Sequence, residues 1–206
     1  MIFDMDGVIL DSEPLHQKAR EIMYEKYKIH DTGNLPDPVG KSSSGFWELV
    51  RERNGRIWNS EEMEIEQYDL VAEQVKNNIE VKSEGLDEVL CWCVQNNWLI
   101  GLASSSTRRL AEQILDFLEI KEYFGVIVCG DEVKNKKPAP DIYEKVLNMA
   151  GINQSMAIAV EDSDTGIKAA KAAGIFCYGY RNRSSGKQNL SKADTVINNL
   201  KEIMGK

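Results

Sequence analysis

The chain has 206 residues, 42% of them hydrophobic, which suffices for one compact domain or a core with one insert and excludes disorder, collagen and coiled coil. Its 25 basic and 33 acidic residues leave a net charge of −8, so there is no global basic field to hold a nucleic-acid backbone or an anionic bilayer. The longest apolar or glycine run, Trp98 to Ala103, is far short of the about 20 residues of a membrane helix, and no basic segment precedes an apolar run at the N-terminus.

The first predicted element is a strand, Ile2-Phe3-Asp4. It has room for only about 10 Å at roughly 3.3 Å per residue, less than the usual strand, which raises the expectation of a start upstream of Met1. Residues 15–30, 46–54 and 60–80 then read as helices with no strand between them. Their flanks, Leu10 to Pro14 and Val81 to Gly85, are polar or contain Gly or Pro, as two hinge strands would. From residue 85 the periodicity alternates. Leu86, Val89, Leu90, Cys93 and Val94 form a helical stripe, and Trp98–Ala103 follows as a strand. Leu110, Ile114, Phe117 and Leu118 mark the next helix, Val126–Cys129 the next strand, and Ile142, Val146, Met149 and Ala150 another helix. Ala157–Val160 is a strand, Ile167–Ala173 a helix closed by Gly174, Ile175–Tyr178 a strand, and Thr195–Ile197 a last strand before a terminal helix. Trp47, Trp58 and Trp92 fall at core-facing helical positions.

Strands alternating with helices predict an α/β fold: a parallel, Rossmann-like sheet flanked by helices, with an all-helical cap inserted after the first strand. The expected division is a core of residues 1–11 and 83–206 and a cap of residues 12–82. Of the four cysteines, Cys91 and Cys93 point different ways on a helix. Cys129 and Cys177 lie in apolar strands, which suits reduced thiols of a cytoplasmic protein.

In an open α/β sheet, ligands bind beyond the carboxyl ends of the strands. Those ends read Asp4-Met5-Asp6-Gly7, Ser104-Ser105-Ser106-Thr107, Lys136-Lys137-Pro138 and Glu161-Asp162-Ser163-Asp164. Carboxylates gathered from distant segments repel unless a cation neutralises them, and hard oxygen ligands suit Mg²⁺. Mg²⁺ together with a lysine, a hydroxyl and free backbone N–H groups is a phosphate-binding set. Thr107 reads as a helix N-cap, and Lys134 and Lys136 as surface charges.

In their order and spacing, Asp4-Met5-Asp6-Gly7-Val8, Ser104, Lys137 before Pro138-Ala139-Pro140-Asp141, and Glu161-Asp162-Ser163 with Gly166-Ile167 resemble the motifs of the haloacid dehalogenase-like superfamily. The segment Ile9 to Pro14 and the helical insert further resemble the subfamily of β-phosphoglucomutase and small sugar-phosphate phosphatases. The resemblance implies that Asp4 is a nucleophile forming an aspartyl-phosphate and that Asp6 moves the proton of the leaving group and then of water. It implies that Mg²⁺ is held by Asp4, the Asp6 carbonyl and Asp162, with Glu161 ligating directly or through water. Ser104 and the Ser105 N–H would hold phosphate oxygens, and Lys137 would pair with Asp4 and the phosphate.

His16 matches a hinge histidine of the mutases, although a helix-face histidine is more often structural. The mutases grip a distal phosphate with a cap arginine after a Gly-x-Ser turn. Here that turn reads Gly40-Lys41-Ser42-Ser43-Ser44, with Ser43 in the arginine's place and Lys41 as a substitute, and residues 61–75 hold no Lys or Arg. The expectation is therefore a Mg²⁺-dependent phosphatase of small phosphorylated metabolites. A phosphosugar mutase is the first alternative and a non-catalytic receiver a distant one. The expected partner is a small phosphorylated substrate, with no nucleic acid, no membrane and a monomeric state.

Overall fold

The computed structural model describes residues 1–30, 35, 43–55, 58–77, 81–182, 184 and 188–205. Six strands, β1 (Ile2–Phe3), β2 (Gly101–Ser104), β3 (Val126–Cys129), β4 (Ile158–Glu161), β5 (Phe176–Tyr180) and β6 (Thr195–Ile197), form one sheet in the order β3-β2-β1-β4-β5-β6. Every pairing is parallel, and β1 registers Phe3 against Leu102 on one side and Val160 on the other. The helices are α1 (Glu13–Tyr27), α2 (Ser43–Asn54), α3 (Ser60–Asn77), α4 (Leu86–Gln95), α5 (Arg108–Phe117), α6 (Asp141–Ala150) and α7 (Asp164–Ala172).

Strand side chains alternate between faces, and the core divides accordingly. Phe3, Val160 and Tyr178 pack with Leu86 and Leu90 of α4 and Leu110 and Ile114 of α5. Ile2, Ala159 and Cys177 pack with Ile142 and Val146 of α6 and Ile167 and Ala170 of α7. Both faces are thus covered, as a parallel sheet requires.

Between β1 and α4, helices α1 to α3 surround a cluster of their own, Met23, Phe46, Trp47, Val50 and Met63. The two connecting segments pair with each other: Leu10 bridges Lys82, Asp11 N–H donates to Val81 O (2.9 Å) and Ser83 N–H to Ile9 O (3.0 Å). Helix α3 also packs on the main core through Tyr68, Val71 and Val75.

Three expectations shift. The strand expected from Trp98 starts only at Gly101, because Asn97 turns left-handed (φ 58°) and Trp98 N–H donates to Cys93 O (2.8 Å), closing α4. The terminal helix is 3-10 over Leu200–Gly205. Trp47 is fully buried, whereas Trp58 and Trp92 are half-buried, their rings shared with Tyr27 and Trp98. The four cysteines are free, Cys91 exposed and the others buried.

Candidate active site

The strand order sets β2, β1 and β4 side by side, so the residues that follow them converge at the point where the crossovers diverge to either side of β1. Asp4 follows β1 directly and is 7% exposed. The chain then turns at Gly7, whose φ of 81° suits glycine and whose N–H donates to Leu10 O (2.9 Å). Lys137 reaches in from the loop before α6. Its Nζ donates to Asp4 Oδ1 (2.6 Å), Glu161 Oε1 (2.6 Å) and Ala103 O (2.8 Å), which uses all three ammonium protons. Burial alone would lower the Lys137 ammonium's pKa, but Asp4 and Glu161 beside it hold it above the usual lysine range.

Glu161, fully buried at the end of β4, is fixed from several sides. Its Oε1 also accepts from Tyr143 Oη (2.7 Å) and its Oε2 from Ser163 Oγ (3.2 Å). Gly166 gives this carboxylate its space, since a β-carbon there would overlap it. Asp4, Glu161 and Asp162 bring carboxylate oxygens within 4.8 Å of one another. Burial raises the Asp4 pKa well above the carboxylate range; Lys137 opposes that rise and Glu161, Asp162 and Asp6 add to it. A buried, oxygen-only donor set with surplus negative charge fits a hard divalent cation.

Asp6, close enough to this cluster to act on Asp4, has its carboxylate against Ser106 and α1. Ser106 Oγ donates to its Oδ2 (3.0 Å), and His16 Nε2 of α1 stands 3.5 Å from its Oδ1. Burial pushes its pKa up, but contacts with His16, Ser12 and Ser106 outweigh that and hold it below the usual value. His16 is backed by α3 and α2: Gln67 Nε2 lies 2.8 Å from His16 Nδ1, and Trp47 Nε1–H donates to Gln67 Oε1 (2.7 Å).

One cavity of about 220 Å³ joins the two clusters, bordered by His16, Gln67 and Tyr68 on its helical side. Asp4, Asp6, Ser105, Ser106, Lys137 and Asp162 line its sheet side. A hydroxyl run at the head of α5 beside a buried lysine has the chemistry to take an anion, and a carboxylate next to them has the chemistry of a nucleophile.

A family model described as haloacid dehalogenase-like hydrolase matches residues 1–180. The chain belongs to this family. It is 33% identical to the phosphorylated carbohydrates phosphatase of Thermotoga maritima, over 99% of each chain. It is 31% identical to the fructose-1-phosphate phosphatase of Escherichia coli, over 85% of this chain and 92% of that one. The crystal structure of β-phosphoglucomutase from Clostridium difficile matches 99% of this chain and 94% of its own with a TM-score of 0.79; at 24% identity that likeness is one of fold.

As a haloacid dehalogenase-like hydrolase, the chain keeps its strand-end residues together: Asp4, Lys137, Glu161 and Asp162 meet, with Asp6 beside them. Ser104 lies beneath the cavity, fully buried, its Oγ accepting from Ser106 N–H (3.1 Å), while Ser105 and Ser106 line the wall. Thr107 does cap α5, accepting from Leu110 N–H (3.4 Å). Lys136, expected as a plain surface charge, stands at the rim of the cavity. Lys41 lies outside the described residues. Ser106 was expected only as part of the serine run at that strand end, and sequence reasoning missed Tyr143, Ser12 and the residues Glu13, Arg20 and Gln67. The one sequence signal among them is the helical spacing of Glu13 and Arg20 with His16, at i, i+7 and i+3.

Proposed function

We propose that this hydrolase is a Mg²⁺-dependent phosphatase of small phosphorylated metabolites, sugar phosphates first among them, acting through a phosphorylated Asp4. The observation that carries the reading is the convergence of Asp4, Asp6, Lys137 and Asp162 on one cavity from separate strand ends. The phosphatase names of relatives 33% and 31% identical to it support the substrate class.

Asp4 Oδ attacks phosphorus, and the bond from phosphorus to the leaving oxygen breaks as Asp6, which takes up the proton of the monoanionic ester, passes that proton to the leaving oxygen. Water then attacks the phosphorus, Asp6 takes the water proton, and the bond to Asp4 breaks to release phosphate. Lys137 holds Asp4 and pairs with the phosphate, and the Ser105 N–H and Ser106 hold its oxygens, supported from beneath by Ser104, which accepts from Ser106 N–H. Asp4, Asp162 and the Asp6 carbonyl would hold Mg²⁺. Glu161, already accepting from Lys137, Tyr143 and Ser163, would reach it through water. The ion supplies neutralisation of the phosphoryl charge. No nucleic acid, membrane or second copy enters this scheme. Among the described residues no helix is long and apolar enough to cross a membrane.

Release of inorganic phosphate from p-nitrophenyl phosphate, with and without Mg²⁺, tests the reading. Asp4→Asn is expected to abolish turnover and Asp6→Asn to lower it at least about 10²-fold, both with wild-type circular dichroism. Near-normal turnover in Asp4→Asn would remove the covalent mechanism. Fast conversion of glucose 1-phosphate to glucose 6-phosphate would replace the phosphatase by the mutase.

A further inference from the structure

Helix α1 turns one stripe, Glu13, His16 and Arg20, towards the cavity. Arg20 is the unexpected member, a cap cation on a different helix from the one where the sequence lacks one. Its side chain is 9% exposed, its Nη2 donates to Glu13 Oε1 at 2.6 Å, and its guanidinium lies 5.9 Å from the centroid of the Phe46 ring on α2. All three groups line the cavity whose sheet side holds Asp4, Ser105 and Lys137. A substrate whose phosphate sits on Asp4 therefore extends its organic part towards them.

A guanidinium at that end could receive a second phosphate or uncharged hydroxyls, and the local charge separates the two. Glu13 already neutralises Arg20, and Asp4, Asp6 and Asp162 outweigh Lys136 and Lys137, leaving the rest of the same cavity net negative. A second anion would have to displace Glu13 from a buried guanidinium and leave that carboxylate unpaired, which is costly. A hydroxyl meets no such conflict. Guanidinium only donates, carboxylate only accepts, and a diol does both, so the pair can take neighbouring hydroxyls without breaking. The Phe46 ring offers an apolar surface to the C–H side of a carbon chain or ring.

We propose that Arg20 and Glu13 form the subsite for the hydroxyls of the substrate, which is a phosphate monoester of a neutral polyol, a sugar or sugar alcohol with a single phosphate. This rests on the phosphatase reading and narrows it.

The test compares wild type, Arg20→Met and the paired variant Arg20→Met/Glu13→Gln on fructose 1-phosphate, fructose 1,6-bisphosphate and p-nitrophenyl phosphate, which carries no hydroxyl. The paired variant removes both charges together and so avoids a lone buried carboxylate. Wild type should prefer the monophosphate to the bisphosphate. In both variants kcat/KM should fall at least about tenfold further for fructose 1-phosphate than for p-nitrophenyl phosphate, chiefly through KM, as loss of hydroxyl-binding groups predicts. Equal losses on the two substrates would overturn the subsite, since a structural role damages both alike. A wild-type preference for the bisphosphate that Arg20→Met erases would overturn it in favour of a second-anion site.

Binding keeps the two readings apart. In the Asp4→Asn background, calorimetry with Mg²⁺ should show fructose 1-phosphate binding more tightly than inorganic phosphate, an advantage lost with Arg20→Met. No advantage, or one that survives the substitution, would sink the subsite. Absence of wild-type turnover on every ester would sink the phosphatase reading instead.

Discussion

A single ring illustrates how neighbours decide chemistry at the scale of a residue. Neutral histidine carries its proton on one nitrogen, and the partners choose which. Trp47 can only donate, and it donates to Gln67 Oε1 (2.7 Å), so the Gln67 amide turns its NH₂ to His16 Nδ1 (2.8 Å). Nδ1 therefore accepts, and the proton of the neutral ring sits on Nε2, facing Asp6 Oδ1. Gln67→Leu should release this choice and populate both tautomers. Gln67→Glu, an acceptor only, should draw the proton to Nδ1. The chain holds only one other histidine, the exposed His30, so nitrogen-15 spectra of the imidazoles read the outcome directly. Unchanged His16 resonances in both variants would show that Gln67 does not set the tautomer. The expected loss of turnover in Gln67→Leu is about fivefold, the scale of one hydrogen bond near 1 kcal/mol. Asp4 and the Glu161-Asp162 pair were legible because each closes an apolar run that ends abruptly in charge, Asp6 by its place two residues after Asp4, and Lys137 by the Pro138 that follows it. Gln67 and Arg20 were not, because a polar residue on a helix acquires meaning only from the helix's rotation and from what docks against it.

Among the elements, the passage from β4 into α7 joins three local rules in a few residues. Ser163 caps α7 by accepting from Gly166 N–H (3.0 Å) while its hydroxyl contacts Glu161 Oε2, and Gly166 leaves the room that the Glu161 carboxylate occupies. The carboxylate in turn holds Lys137 and Tyr143. Gly166→Ala should force the Glu161 side chain aside, at about 1–3 kcal/mol of overpacking, and misplace Lys137. A melting temperature lower by several degrees with turnover reduced at least tenfold is the expected pair of results. Lost stability with intact turnover would mean that Glu161 does not position Lys137. The sequence shows this helix from Ile167 but not the Ser163 cap that starts it at Asp164, nor the reason for the glycine, which lies in a contact made by folding. Strand ends were legible for local reasons. The helix end at Asn97 was not, because a left-handed asparagine lets an apolar run leave the helix before the strand begins.

Across the whole molecule, the parallel order that makes the fold also concentrates its charge. With β2, β1 and β4 adjacent, the carboxylates of Asp4, Asp6, Glu161 and Asp162 share one end of the sheet, with Lys137 buried among them. The sequence disclosed this through motif order, since alternating strands and helices leave few ways to arrange those ends. The repulsion among these carboxylates was legible too; which of them bears it was not. Asp4 has a folded pKa raised above its ordinary 3.8. Between 3.8 and the folded value, the native state keeps a proton that the unfolded chain has lost, so Asp4 lowers stability as pH rises through that window. Asp6 behaves oppositely: its depressed pKa contributes stability that is present above 3.8 and lost as pH falls through the folded value. A divalent cation binds the ionised carboxylates and removes the penalty at Asp4. Mg²⁺ should therefore raise the melting temperature more at about pH 7.5 than at about pH 5. At one hundred times its Kd, ligand binding adds about 2.7 kcal/mol, which for a chain of this length is roughly 5–10 °C. Differential scanning fluorimetry with Mg²⁺ and with EDTA measures the shift, and Asp162→Ala should lose most of it. No Mg²⁺-dependent shift at either pH, or an equal shift in Asp162→Ala, would mean that these carboxylates do not hold the ion.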